Sequence, residues 1–413
     1  MNAQIPQRRQ PVEPEIKVEV TDTVVETVAP GAALSDRQRD YAKRVRDSDM
    51  IEGWWWDSTE FRPRPDQPVE PSGPAVPHLW SWSTIGPLIN ESGEVVGLGQ
   101  GPGEAERRVL VLRNPGLTPQ YAMTNTFFGD IQLIEPGEVA PSHRHTTTAA
   151  RFVFEGTGGW TSVEGERVDL DPGDIVLNPQ WAWHDHGNDG RDNFVFFDVL
   201  DIPLLTHLGT AVWDFDYVQV TGDKSKKKQP LTRPDNQCMS LFDASGIVPR
   251  FVSSSRADQS ALLGYRYATV RGALDKMKDE RGSPHDGIIV ELNNPESGAS
   301  IAPTMSMCAQ LMRPGEKTLS HRHNWSTIYI AIDGRGRTVV DDTTIEWEKN
   351  DIFVVPSWRW HEHSNRSEKE DAVLYSVSDL PVIEKLGLRR EQRRTESGDL
   401  EDTGWAPNRS VWS

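Results

Sequence analysis

Imidazole is the commonest side-chain nitrogen donor for transition metals, and eight of this chain's eleven histidines fall in two clusters that repeat each other. The first reads Pro136-Gly-Glu-Val-Ala-Pro-Ser-His143-Arg-His145, followed by Trp183-His184-Asp-His186. The second reads Pro314-Gly-Glu-Lys-Thr-Leu-Ser-His321-Arg-His323, followed by Trp360-His361-Glu-His363. His145 and His184 stand 39 positions apart, and His323 and His361 stand 38 apart. Landmarks between them also match: Gly156 with Gly334, Gly173-Asp174 with Asn350-Asp351, and Pro179 with Pro356. A repeated spacing of this kind points to two copies of one module that gathers imidazoles around a metal.

A strand sends alternate residues to one face, so His143 and His145 point together while Arg144 points away. His184 arrives from a later strand and completes a three-nitrogen face with the opposite positions open, the mark of a catalytic rather than a structural site. Imidazole-only ligation suits iron, zinc, copper or nickel better than magnesium or calcium. His321, His323 and His361 repeat the set as a possible second metal site. His186 and His363 are open to two readings, an acid/base group beside the metal or a hydrogen-bonded strand residue.

The elements that must hold these residues are short β-rich runs punctuated by Gly and Pro at intervals of 8–15 residues. Examples are Arg108–Arg113, Thr126–Ile134, Phe152–Phe154, Asp174–Leu177 and Asn193–Asp198, with a second series from 288 to 376. That rhythm predicts an all-β protein of two tandem jelly-roll barrels. Residues 1–75 read as a disordered leader with a short helix over 35–49 capped by Ser35. The first barrel is expected over 76–204, a connector over 205–285, the second barrel over 286–385, and a tail over 386–413. Trp54-Trp55-Trp56, Trp80 and Trp82 need a surface to bury against, either the first domain or a second subunit, and the second reading is preferred: a homo-oligomer, dimer or tetramer. The run Lys224–Lys228 reads as a solvated linker loop.

At 413 residues the chain is long enough for two cores. Its net charge of −18 argues against nucleic acid and anionic membranes as partners. Two cysteines are too few for a disulfide framework, no signal peptide is evident, and no window approaches a membrane span. The expectation is a soluble cytoplasmic protein.

The pattern Pro-Gly…His-x-His…Gly…Gly-Asp…Pro…His resembles the cupin superfamily. In particular the chain resembles the bicupin gentisate 1,2-dioxygenases and their salicylate and 1-hydroxy-2-naphthoate relatives. The resemblance runs from about Trp80-Ser-Trp82 to near residue 385. It is carried by Glu106–Pro115, Pro136–Thr146, Arg151-Phe, Trp183-His-Asp-His-Gly187 and Asp198-Val-Leu-Asp-Ile-Pro203. It implies two cupin (double-stranded β-helix) barrels and Fe(II) on His143, His145 and His184. It also implies O2-dependent cleavage of an aromatic hydroxy-acid ring between the carboxyl- and hydroxyl-bearing carbons. Manganese bicupins place a Glu shortly after the His-x-His; here those stretches read Thr146-Thr-Thr-Ala-Ala150 and Asn324-Trp-Ser-Thr-Ile328, with no carboxylate.

Comparison of the two copies breaks their symmetry. Tyr329 stands where the first copy has Arg151, and alignment of Asn114-Pro115 with Asn294-Pro295 sets Gly287 opposite Arg107. Arginine grips carboxylates through paired hydrogen bonds, so the first barrel is expected to be the catalytic one. The resemblance likewise assigns substrate contacts to Arg107 and Arg151, with His186 and Asp198 nearby to manage protons. A surface salt bridge is the other reading of Arg107. Phe128, Asp130, Gln132 and Trp183 are the expected substrate-lining residues, and the carboxylate of Asp130 departs from the family pattern. It could read a donor group on the ring, act as a base, or pair with an arginine. Two rival functions are a non-oxidative metal-dependent cupin enzyme (hydrolase, isomerase or decarboxylase) and a non-catalytic ligand-binding bicupin.

Overall fold

In the computed structural model the described residues are 35–48, 50, 70–98, 102–217, 228–243, 247–249 and 259–404. Trp54-Trp55-Trp56, Lys224–Lys227 and most of the leader lie outside them. The chain divides into units 1–70 and 71–413. The first unit contains the helix Asp36–Arg46. Ser35 caps it: its hydroxyl accepts from Gln38 N at 3.3 Å, and the Gln38 side chain accepts from Ser35 N at 2.8 Å.

The second unit is two β-barrels, each closed by two antiparallel sheets. In the first barrel one sheet runs Gly264–Tyr265, Ile175–Asn178, Ala149–Glu155, Phe194–Leu200, Phe128–Ile134, Arg108–Val111. The other runs Trp213–Asp214, Val139–His145, His184–Asn188, Gly159–Val163, Glu166–Leu170. The second barrel repeats the plan. One sheet is His78–Trp80, Ile352–Val355, Thr327–Asp333, Ala372–Ser378, Ser306–Met312, Ile288–Leu292. The other is Thr343–Glu348, Arg335–Val340, His361–Asn365, His321–His323, Arg390–Arg394, Leu400–Gly404.

Several elements cross the boundaries expected from sequence. His78–Trp80, from the stretch expected to open the first barrel, pairs with Ile352–Val355 of the second. Gly264–Tyr265, from the expected connector, pairs with Ile175–Asn178 of the first barrel. The connector also holds the helix Tyr267–Lys276. Arg390–Arg394, from the expected tail, pairs with His321–His323. Pairing of this kind joins residues far apart in sequence and leaves no local trace. The 14-residue helix Trp82–Val95, with Pro87 inside it, was likewise not foreseen. Among the described residues no helix is long and apolar enough to cross a membrane.

The main core lies between the barrels, where their six-stranded sheets share one apolar cluster. Ile131, Leu133, Phe152, Phe154, Val195, Phe197 and Val199 come from the first barrel; Met307, Ala309, Leu311, Ile328, Ile330, Ile352, Val354, Val373 and Tyr375 come from the second. Alternate residues of the same strands turn into the barrels, where Val153, Val176, Phe194 and Phe196 build a separate core in the first. Both faces of these strands are therefore covered, which is why Phe194–Leu200 is buried at every position.

Two buried carboxylates tie the barrels together in a reciprocal pattern. Asp201 accepts from Thr148 N at 2.9 Å in its own barrel and from the Thr304 hydroxyl of the other at 2.5 Å. Asp379 accepts from Ser326 N at 2.8 Å in its own barrel and from the Thr126 hydroxyl of the first at 2.7 Å. Burial raises both carboxyls to about 6, against the opposing hydrogen bonds from threonine and backbone. A carboxyl whose pKa is higher folded than unfolded favours the folded state most below about 4. That contribution is lost as pH rises through about 6, on the order of 3 kcal/mol for each group. Thermal melting of the parent and of Asp201→Asn/Asp379→Asn between pH 4 and 7 checks this. The parent is expected to lose stability relative to the double variant as pH rises, and parallel curves would refute the linkage.

Candidate metal centre and substrate pocket

The strand Val139–His145 alternates as expected. His143 and His145 face the barrel interior, while Arg144 lies outside against Asp214 at 2.9 Å. His184 pairs directly with His143 across the sheet, so two strands deliver three imidazoles to one point. Their nitrogens lie within 4.8 Å of one another, and all three rings are buried. Each Nδ1 has a backbone carbonyl to bond: Pro141 O at 3.2 Å from His143, Thr147 O at 2.8 Å from His145, Ala182 O at 2.8 Å from His184. A proton fixed on Nδ1 leaves Nε2 as the lone-pair donor, the tautomer a metal ligand requires. Burial lowers the pKa of His145 to about 4 and those of His143 and His184 well below the ordinary value, helped by the neighbouring imidazoles and arginines. All three are neutral near pH 7, so the donor set fits a borderline transition metal.

The strands beside the triad supply the polar pocket. Asp130 on Phe128–Ile134 faces Asp198 on Phe194–Leu200, and Asp198 in turn faces Arg151 on Ala149–Glu155. Arg151 binds Asp198 with two parallel bonds, Nε to Oδ1 at 2.8 Å and Nη2 to Oδ2 at 2.7 Å. Its Nη1 reaches Thr161 Oγ1 at 3.1 Å and also Nδ1 of His186. Donation from Arg151 places the His186 proton on Nε2, and burial followed by the Arg151 charge holds this imidazole neutral. His186 is thereby a fixed hydrogen-bond donor. Asp198, expected to manage protons, has both oxygens engaged by Arg151 and acts as its positioning residue.

Arg107 lies beside the triad. Its Nη2 donates to Pro141 O at 3.2 Å and rests 2.9 Å from His143 Nδ1, while its Nε is buried without a hydrogen-bond partner. Arg107 and Pro141 O thus compete for His143 Nδ1, and the unpartnered Nε is the arginine donor left for an anion. The expected surface partner is present as well, since Glu106 lies 4.0 Å from Arg107 Nη2, an ion pair without a hydrogen bond.

Asp130 is the other unsatisfied group, with Oδ1 buried and unpartnered. Desolvation, then the charge of Asp198, raises its pKa well above the ordinary carboxylate range, against the pull of Arg151 and Arg107. Gln132 is buried two positions further along the same strand, and Phe128 is half-buried. Strand alternation turns all three side chains to the same face.

Trp183 is placed elsewhere. Its ring lies 4.5 Å from the outward-facing Arg144 guanidinium, which also covers Trp181 at 4.4 Å. The second barrel repeats this cluster with Arg322 over Trp358 and Trp360 at 4.3 and 4.9 Å. The same cluster is thus built twice, and Trp183, expected to line the substrate site, packs against Arg144, which points away from the triad. Phe215, in the expected connector, was missed: its ring stacks on His143 at 5.8 Å. No repeat marked it, because the matching strand of the second barrel carries unrelated residues.

In the second barrel His321 pairs with His361, and with His323 they form an equivalent triad. Register confirms the comparison of copies. Arg108 faces Leu133 and Ile288 faces Leu311, so Gly287 does match Arg107. Asp130, Arg151 and Asp198 become Cys308, Tyr329 and Ser376, again side by side. Tyr329 stacks on Phe353 at 5.0 Å and packs beside His363 at 4.9 Å, so aromatic rings lie where the first barrel carries its ion pair.

The cupin-domain family matches residues 130–200 and 309–378. The chain is 37% identical over 326 residues to gentisate 1,2-dioxygenase 1 of Aquipseudomonas alcaligenes, covering 79% of this chain and 89% of that protein. It is 36% identical to 5-aminosalicylate 1,2-dioxygenase of a Comamonas species, covering 78% and 83%. The salicylate 1,2-dioxygenase of Pseudoaminobacter salicylatoxidans, solved as adducts with gentisate, superposes with a TM-score of 0.78 at 30% identity, covering 90% of this chain and 98% of that one. Twin histidine triads in paired cupin barrels, matched along most of the length of these relatives, place the chain in a family: it belongs to the gentisate 1,2-dioxygenase family of bicupin ring-cleaving dioxygenases.

Proposed function

We propose that this chain is an Fe(II)-dependent dioxygenase whose first barrel opens the ring of an ortho-hydroxybenzoate between the carboxyl- and hydroxyl-bearing carbons. The carrying observation is that Arg107 and the buried Arg151–Asp198 pair stand beside a complete histidine triad in one barrel only. The named relatives act on gentisate, 5-aminosalicylate and salicylate, which share a ring carboxylate with a hydroxyl beside it. The non-oxidative and non-catalytic readings have no comparable observation behind them. The pocket belongs to a soluble protein that we expect to work in the cytoplasm as a homo-oligomer.

His143, His145 and His184 would hold iron(II), which would supply the electron exchange between an electron-rich ring and O2. The protein's share is charge and orientation. Arg107, whose Nε is buried without a hydrogen-bond partner, binds the substrate carboxylate. Arg151, locked by Asp198, keeps one donor directed at His186 and fixes its tautomer. Nε2–H of His186 then donates to an oxygen that gains negative charge as the ring opens. Phe215 over His143 limits access of water. Asp130 reads a ring substituent: its unpartnered oxygen accepts from a hydroxyl or amino group, and its proton can be donated in return.

Oxygen uptake after anaerobic Fe(II) loading tests the reaction on salicylate, gentisate and 5-aminosalicylate. One O2 consumed per ring opened is expected, and no uptake across the panel would overturn the proposal. Arg107→Met should raise KM about 10- to 100-fold, matching the loss of a charged hydrogen bond of roughly 1.5–3 kcal/mol. Asp198→Ala leaves the buried Arg151 without its counter-charge, costing about 3–5 kcal/mol in urea unfolding. In Asp130→Ala, the ratio of kcat/KM between ring-substituted and unsubstituted substrates should fall; an unchanged ratio would show that Asp130 reads nothing on the ring.

A further inference from the structure

Beside its triad, each barrel keeps one further histidine whose Nδ1 meets a buried threonine. Thr161 pairs with His186 across the sheet in the first barrel, and Thr338 pairs with His363 in the second. Both threonines are 0% exposed. Oγ1 of Thr161 lies 3.0 Å from His186 Nδ1, and Oγ1 of Thr338 lies 2.8 Å from His363 Nδ1. We infer that Thr161 is a positioning residue for the ring-opening reaction: its hydroxyl donates to His186 Nδ1 and so keeps the imidazole proton on Nε2.

The direction of this bond follows from counting protons. A hydroxyl has one proton to donate and can accept as well, whereas a guanidinium only donates. Arg151 Nη1 donates to Thr161 Oγ1 at 3.1 Å, so the hydroxyl oxygen is an acceptor on that side. Its single proton then goes to His186 Nδ1, its other partner. Donation the opposite way, from Nδ1, would leave a buried hydroxyl proton without an acceptor. A neutral imidazole that accepts at Nδ1 carries its proton on Nε2.

The second barrel reaches the same end by other means. Tyr329 stands there in place of Arg151, and Trp347 Nε1 donates to Thr338 Oγ1 at 3.0 Å. Thr161 faces Val168 and Thr338 faces Ile345, so two positions further on Leu170 matches Trp347. Each copy thus supplies its threonine with one N–H. The first takes it from an arginine on the six-stranded sheet, the second from an indole on the other sheet. The donor has changed strand while the threonine–histidine bond has stayed. Arg151 also reaches His186 Nδ1 directly, but the second barrel makes the bond without an arginine.

The effect on turnover rests on the dioxygenase reading of the first barrel, whereas the tautomer of His186 does not. Nitrogen-15 NMR of the histidine side chains in the metal-free full chain reads the tautomer, with His186 assigned by its loss in His186→Gln. Oxygen uptake by the Fe(II)-loaded chain reads turnover. The parent is expected to carry the His186 proton on Nε2. Thr161→Val should populate both tautomers and lower kcat about 10- to 100-fold with KM nearly unchanged, the mark of a contact that acts in the transition state. Thr161→Ser should restore both readouts. Thr161→Cys keeps a weaker donor, is expected to fall between, and serves in place of valine should that variant not fold. Thr338→Val removes the matching hydroxyl from the second barrel and should lower the melting temperature while leaving kcat at the parental value. A parental proton on Nδ1, a Thr161→Val chain that keeps either its tautomer or its kcat, or an equal fall of kcat in Thr338→Val would overturn the assignment. If Thr161→Val shifted the tautomer while the parent consumed no oxygen, the bond to His186 would stand and the dioxygenase reading would fall.

Discussion

Two-sided burial of the six-stranded sheets is the constraint on which the rest depends. Each central strand serves two interiors at once: Phe152, Phe197 and Ile131 face the core between the barrels, while Arg151, Asp198 and Asp130 face into the first barrel. A slip of one residue would exchange the two sets, sending three ionisable groups into hydrocarbon and three large side chains into the metal pocket. No sheet with one solvated face enforces register so strongly. The geometry of the site is therefore set by apolar packing on the far side of the same strands.

Within the pocket, the balance of charge follows from how each ionisable group escapes the cost of burial. Arg151 and Asp198 neutralise each other through two bonds, an arrangement that survives desolvation because both hydrogen-bonding edges are filled. Asp130, crowded by Asp198, holds its proton more tightly. Arg107 remains as the cation without a close anionic partner. With a divalent ion on the triad, as proposed, the Arg107 guanidinium beside it would favour an anionic ligand, and the His186 donor would favour an oxygen that gains negative charge.

The ligand set was legible because it depends on local rules. Alternation in a His-x-His strand fixes which side chains share a face, and a repeated spacing brings the third ligand to the same place. The position of Arg151 was legible by subtraction of one copy from the other. What escaped depends on contacts distant in sequence. Nothing in His78-Leu-Trp80 states that its partner strand lies more than 270 positions away. Trp183 adjoins a ligand in sequence yet packs on the outer face, since adjacency in a barrel means opposition rather than proximity. Asp198 was expected to manage protons, and the two bonds that occupy it come from another strand and leave no mark in the sequence.

The repeat also offers a way to separate scaffold from chemistry. Features that hold the barrels together recur at matching positions in both copies: the Asp201 and Asp379 ties, and the Arg144 and Arg322 clusters over paired tryptophans. The features proposed to handle substrate occur once: Arg107, Asp130 and the Arg151–Asp198 pair. By this division the histidines are anomalous, since they recur as scaffold does although they are the residues most tied to chemistry. Their surroundings differ: Arg107 lies beside His143 in the first barrel, whereas Cys308, Tyr329 and Ser376 stand in the second where the first has Asp130, Arg151 and Asp198. The two copies therefore differ in what surrounds their triads and not in the triads themselves.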